Sequence, residues 1–350
     1  MNFISYICKY IDNIENKIDM PQIHFLNVGN GDCTWIKHAN GANSVIDVCL
    51  AKAENLSKAQ DAVTEMFSAK ANSVKGNFNQ VASPENPIEY LQQFGVNSIF
   101  RFILSHPDMD HMDGLQDFFK TFSPANFWDT KNNKPKPDFS KPCRYSEEDW
   151  DFYQSIRDSK KNPVCLYLYD GSKGKFYNKN EDGTSGGNGL KILSPITSLI
   201  TEANKCGDYN DCSYVLLYKT GEFKILFCGD SGNKTFEHLL AHHNADISDI
   251  DLLIAPHHGR KGDIDFSFLD VMTPKLTFFG NADSKDLAYN EWNRRGLEKI
   301  TNNQAGTLIA DFVDNDMNVY AKNETFSKSY NSDTFKNEKL NAWYLGSLSK

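Results

Sequence analysis

The chain lacks any hydrophobic run near the ~18 residues that a membrane-crossing helix needs, and its first residues lack the apolar stretch and small-residue cleavage site of a secretory leader. These absences predict a soluble, cytoplasmic protein with no membrane partner. There is no C-x-x-C pair among the eight cysteines at positions 8, 33, 49, 143, 165, 206, 212 and 228. Several fall in apolar segments, where they pack as small hydrophobes. Cys206 and Cys212 are close enough in sequence for a disulfide, but the scatter of the others argues against an oxidising compartment. No Pro- or Ser-rich linker divides the 350 residues, and no internal repeat is evident. One elaborated domain is therefore expected rather than two. Basic residues are not in excess: the formal net charge is −9, so long-range attraction to duplex DNA is weak. The glycine-rich stretch 183–189 has no Lys-Ser/Thr after it and reads as a turn or lid edge rather than a phosphate loop.

Aromatic residues are plentiful, with 24 Phe and 15 Tyr to fill a core. Against that background one run stands out, Ser105-His106-Pro107-Asp108-Met109-Asp110-His111-Met112-Asp113-Gly114. It follows an apolar strand, Ser98–Leu104, and precedes Leu115 and Phe118-Phe119, which read as the start of a helix. Imidazole and carboxylate groups suit Zn²⁺, Mn²⁺ or Fe²⁺, and carboxylates this close repel one another unless a cation neutralises them. Two further strands end in ligand-type residues: Phe223–Cys228 before Gly229-Asp230, and Asp251–Ala255 before Pro256-His257-His258-Gly259. Clefts outside strand ends are where α/β proteins build sites.

In order along the chain, these elements resemble the metallo-β-lactamase fold superfamily, and within it the nuclease-like domain of the competence protein ComEC and its stand-alone relatives. The similarity starts at His24–Cys33 and continues through Val45–Val48, the 105–114 run, Asn210–Leu216, Gly229-Asp230 and His257-His258-Gly259. It ends with Gly280-Asn281 and Thr301–Ile309. The resemblance implies an α/β fold, a four-layer αββα sandwich with helical and loop insertions, and two divalent metal ions (Zn or Mn). His106 and Asp108 would hold one metal and Asp110 and His111 the second, with Asp230 bridging and His257 completing the second site. His258 would be an outer group or substrate contact, unless the adjacent histidines exchange roles; Asp110 and His258 are the catalytic candidates. Asp108 stands where the wider superfamily has a His, which shifts preference toward Mn²⁺. The family's third motif falls on Asn210–Ser213, leaving water or Asp211 to fill a position. Arg260 and Lys261 follow the His-His-Gly turn, where they either grip an anionic phosphate or face solvent.

Residues 1–20 carry Ile4, Ile7, Ile11, Ile14 and Ile18 at a/d spacing and predict an amphipathic helix before a domain at 21–350. Docking on that domain is favoured over pairing with a second copy or another protein, because fewer than three heptads make a weak coiled coil. Insertions are expected at about 51–94, mainly helical, and at about 123–189. The second includes a basic stretch, Lys131, Lys134, Lys136, Lys141 and Arg144 among Phe127, Trp128 and Tyr145. That stretch is either an ordinary solvated loop or a surface for nucleotides or single strands. The expected function is a dinuclear phosphodiesterase or nuclease acting through a water that bridges the metals, on a nucleic acid or nucleotide. Alternatives are hydrolysis of a small phosphoester, cyclic nucleotide, carboxylic ester or lactam, or a partner-regulated effector.

Overall fold

The computed structural model describes residues 20–53, 77–172, 174 and 187–350. The isoleucine-rich segment 1–19 lies outside the described residues, as do 54–76 of the first expected insertion and 173 and 175–186 of the second. Among the described residues no helix is long and apolar enough to cross a membrane. Cys206 and Cys212 are both free thiols.

Two mixed sheets face each other. The first contains β1 (Gln22–Phe25), β2 (Thr34–Lys37), β3 (Asn43–Ile46), β4 (Arg101–Ile103), β5 (Asn126–Asp129) and β6 (Val164–Tyr167). The second contains β7 (Leu190–Ser194), β8 (Val215–Thr220), β9 (Phe223–Phe227), β10 (Leu252–Ile254), β11 (Leu276–Phe279) and β12 (Lys299–Thr301). The chain then returns to the first sheet through β13 (Leu308–Val313), β14 (Asp316–Ala321), β15 (Lys336–Asn337) and β16 (Ala342–Ser349). The strand orders are β15-β16-β14-β13-β1-β2-β3-β4-β5-β6 and β12-β11-β10-β9-β8-β7. Each sheet has an antiparallel half and a parallel half, β3-β4-β5-β6 in one and β9-β10-β11-β12 in the other. Residues 126–129 and 164–167, inside the stretch read as an insertion, thus extend the first sheet.

The alternation of side chains decides the layers. Ile23, Phe25, Ile46 and Ile103 from the first sheet meet Ile225, Phe227, Ile254 and Phe278 from the second, forming the core between the sheets. Their neighbours point outward. Phe102 and Leu104 pack on α2 (Leu115–Phe122), which follows α1 (Pro87–Gln93) in the chain, and on α3 (Glu147–Ile156). Leu226 and Leu253 pack beneath α5 (Asn233–His242), which comes after α4 (Thr197–Cys206). The result is an αββα sandwich. Helix α2 buries Leu115, Phe118, Phe119 and Phe122, an i, i+3, i+4, i+7 stripe. Phe118 is fully buried, and truncating it to Ala costs about 3–5 kcal/mol.

Candidate metal centre

The C-terminal ends of the two parallel halves supply the site. Pro107 cannot continue the pairing of β4, and the chain folds into a tight turn in which Asp108 N–H donates to His106 O (3.0 Å) and His111 N–H to Asp108 O (3.0 Å). Immediately beyond, the Asp149 carboxylate on α3 accepts from Gly114 N–H (2.8 Å) and Gln116 N–H (3.0 Å). It satisfies two free donors at the start of α2 and so fixes the loop to a helix. On the opposite sheet β9 runs into Asp230, whose N–H donates to Ser213 Oγ (3.2 Å). After β10, His257 and His258 both take left-handed backbone conformations, with φ of 50° and 57°. That is uncommon for residues with a Cβ and costs of order 1 kcal/mol each. Gly259 follows with φ 85°, and a Cβ there would lie 2.3 Å from the Phe279 ring. The turn is held by His257 N–H donating to Gly229 O (2.9 Å).

Asp230 lies at the centre. Its Oδ1 is 3.3 Å from His111 Nε2, and its Oδ2 is 3.5 Å from His258 Nε2, 3.7 Å from His257 Nε2 and 3.9 Å from His106 Nε2. His106 Nε2 is 3.7 Å from Asp108 Oδ1, and His258 Nε2 is 3.5 Å from Asp110 Oδ2. His258, rather than His257, therefore stands with Asp110 and His111. His257 is the more open of the two histidines, at 26% side-chain exposure against 2%. Of the remaining expected residues, Asp211 is used elsewhere: its Oδ1 accepts from Gly232 N–H and Thr235 N–H, both 3.0 Å, at the start of α5. Arg260 has a buried Nε without a hydrogen-bond partner, and Lys261 is exposed.

Three residues that orient this set carry no obvious ligand signature in the sequence. Asp47, at the end of β3 with φ 58°, accepts from His111 Nδ1 (2.8 Å) and from Ser105 N–H (2.7 Å). Ser105 Oγ lies 3.0 Å from His106 Nδ1. Asp32 Oδ1 lies 3.0 Å from His258 Nδ1. A carboxylate on Nδ1 leaves Nε2 free as a donor to a cation, the usual outer support of a metal-bound histidine. A fourth contact was equally hidden: Lys134 pairs with Asp108 and sits 5.3 Å over the Tyr209 ring.

The electrostatics follow from burial and close packing. Burial and the neighbouring His111 hold His106 below its usual value. Burial alone would lower His111, but the Asp230, Asp47 and Asp110 carboxylates raise it well above. His258 is likewise raised, by Asp32 and Asp230 against burial. Asp230 and Asp110 are held low by these imidazoles despite their burial. Burial also lowers His257, with His258 and Arg260 adding to that effect against Asp230. Without a cation, His106 Nε2, His111 Nε2 and Asp230 Oδ1 are all buried and lack a hydrogen-bond partner. An atom such as His106 Nε2 costs about 1–3 kcal/mol unless something meets it, whereas His111 Nε2 and Asp230 Oδ1 face each other at 3.3 Å without hydrogen-bond geometry. Asp32, His111, Asp230 and His258 each offer a ligand atom within 4.8 Å of the others. The donor set fits divalent metal.

No protein-family model and no curated protein matches the sequence. Its likenesses among solved structures are distant. CmlA, a diiron β-hydroxylase from Streptomyces venezuelae, is 11% identical over 84% of this chain with a TM-score of 0.44; the chain covers 54% of CmlA, about half its length. A diphosphatase of the PhnP family is 14% identical over 83% of this chain and 98% of that one, with a TM-score of 0.37. Likeness at this level says nothing about the reaction.

Proposed function

We propose that this chain is a hydrolase of the metallo-β-lactamase superfamily, in its ComEC-like branch, and that it cleaves phosphodiesters with two divalent metal ions. The observation that carries this reading is the convergence of His106, His111, His257 and His258 on Asp230, with Asp108 beside His106 and Asp110 beside His258, and with the His106 Nε2, His111 Nε2 and Asp230 Oδ1 atoms buried and lacking hydrogen-bond geometry. His106, Asp108 and His257 would hold one metal, Asp110, His111 and His258 the other, and Asp230 both. Bound there, divalent cations supply Lewis acidity toward a phosphoryl oxygen and a water acidified to near-neutral pH.

The chain's own residues do the positioning. Asp47 and Asp32 hold His111 and His258 by their Nδ1 atoms, and Ser105 meets the Nδ1 of His106. Lys134 pairs with Asp108, and Arg260 follows the His-His-Gly turn as a charge neighbour of His257, so both would put positive charge beside an anionic substrate. A cleft of about 590 Å³ beside the ligand loop is lined by Lys52, Lys141, Arg144, Phe139 and Tyr145. Its three cations share the lining with Glu147 and Glu148, and its rings offer faces on which a base would stack. Asp108 in place of a nitrogen donor favours Mn²⁺ over Zn²⁺. The test is a substrate panel: a model phosphodiester, a phosphomonoester, single-stranded DNA, RNA and a lactam, each with Mn²⁺ or Zn²⁺ after chelation. Phosphodiester cleavage that disappears in Asp110→Ala is expected. Full activity in that variant, or turnover of the lactam alone, would overturn the reading.

A further inference from the structure

Helix α5 ends in a histidine cluster that the metal centre does not use. His238 and His242 are one turn apart on it, and His243 closes it. The His238 ring centroid is 5.4 Å from that of His243. Facing them is Asp170, on the chain that leaves β6 for β7, tied by its N–H to Pro195 O (2.8 Å).

We propose that Asp170, His238 and His243 form a separate zinc site that fastens the β6–β7 connection to helix α5. Both imidazoles address the same carboxylate oxygen: Asp170 Oδ2 is 2.8 Å from His243 Nε2 and 3.3 Å from His238 Nε2. The His243 contact is a hydrogen bond, whereas His238 Nε2 is buried and has no hydrogen-bond partner, on a side chain only 10% exposed. Both Nε2 atoms thus aim at one oxygen, and only that of His243 meets it with hydrogen-bond geometry. A cation between them would take a lone pair from each of the three groups. All three ligand atoms lie within 4.8 Å of one another. With zinc–ligand bonds of 2.0–2.2 Å, two donors of a tetrahedral centre are ~3.3–3.5 Å apart. The His238–Asp170 pair is already at that spacing, and the His243–Asp170 pair has only to open by about half an ångström.

Outer support is also in place. His243 Nδ1 is 3.2 Å from Asp246 Oδ2, and that carboxylate pairs with Lys191 Nζ at 2.7 Å. This is the carboxylate–histidine arrangement that directs Nε2 at a metal. Burial lowers His238 below its usual value, which keeps a lone pair available. Two nitrogens and one oxygen favour zinc over magnesium or calcium, with the fourth position left to water.

The test uses the full chain, stripped by chelation, reloaded with Zn²⁺ and freed of excess by gel filtration. Asp170→Asn combined with His238→Gln is expected to bind about one zinc ion per chain fewer than wild type, with unchanged circular dichroism. The same difference is expected in an Asp230→Asn background, so failure of the main centre cannot imitate the result. Equal zinc content in wild type and double variant would overturn the proposal. Should the double variant not fold, Co²⁺ titrated into Asp230→Asn with and without His238→Gln decides: a tetrahedral visible band that His238→Gln removes supports the site, and no band, or a band that His238→Gln leaves unchanged, refutes it.

Discussion

Replacing Asp47 by Asn isolates the support of one ligand from the ligand itself. Asp47 is buried and receives two hydrogen bonds, from Ser105 N–H at 2.7 Å and from His111 Nδ1 at 2.8 Å. An asparagine keeps the shape, tolerates the φ of 58° at this position, and still accepts from Ser105 through its carbonyl oxygen. Its amide then faces His111 Nδ1 with N–H groups. His111 must turn its Nδ1 lone pair toward them and carry its proton on Nε2, the atom that faces Asp230 and has no hydrogen-bond partner. A protonated Nε2 cannot bind metal. Loss of a charge-assisted hydrogen bond is worth about 1.5–3 kcal/mol, and loss of outer support on a metal-bound histidine costs roughly 10–100-fold in affinity. Competition with a chromophoric chelator, using Mn²⁺ or Zn²⁺, measures this directly, and urea unfolding checks that the fold is retained. Affinity within about twofold of wild type would refute the role assigned to Asp47.

Gly31→Ala places a Cβ 2.4 Å from Asp110 O and 2.6 Å from Cys49 Sγ, at φ 153°. It should destabilise the chain by roughly 2–4 kcal/mol in urea and displace the ligand loop, with metal affinity falling alongside. His38 is buried against Ser44 Oγ (2.8 Å), and burial, assisted by the Arg101 charge, lowers it to about 3. The unfolded chain therefore takes up this proton first. The stability tied to His38 is intact well above pH 6.5 and is lost as pH falls toward 3, by about 1–2 kcal/mol between pH 6.5 and 5. His38→Gln should flatten the pH dependence of the urea midpoint by that amount, and an unchanged slope would contradict it. Lys134→Met removes a cation that pairs with Asp108. Metal binding should tighten several-fold while KM for a phosphodiester rises, both measurable on one preparation.

Much of the sheet framework and the ligand loop was legible in the sequence because apolar strands ending in His or Asp leave a local signal. β4, β9 and β10 lie within the segments expected for them, and the αββα layering follows from their alternating side chains. Less visible were the groups that act through space. Asp32 and Asp47 are 226 and 64 residues from the histidines they meet, and no spacing rule links them. Asp47 left one trace, a carboxylate at a strand end. Lys134 looked like one cation among several in a polar loop; only the fold shows that it reaches Asp108 while Lys136 pairs with Glu147 and Asp151. On the sequence, His257 falls in the second site with exchange of the two histidines left open, whereas in the fold His258 is the buried one and meets Asp110 at 3.5 Å. Residues 126–129 and 164–167 fall within the stretch 123–189, where a long polar loop separates them, and they pair in parallel as β5 and β6.

The most direct test of the central claim is a crystal structure of the full chain soaked in Mn²⁺, with metal positions read from anomalous scattering. Two peaks are predicted: one touching His106, Asp108 and His257, the other Asp110, His111 and His258, with Asp230 bonded to both. No peak at Asp230, or one that leaves either histidine group unliganded, would contradict the account.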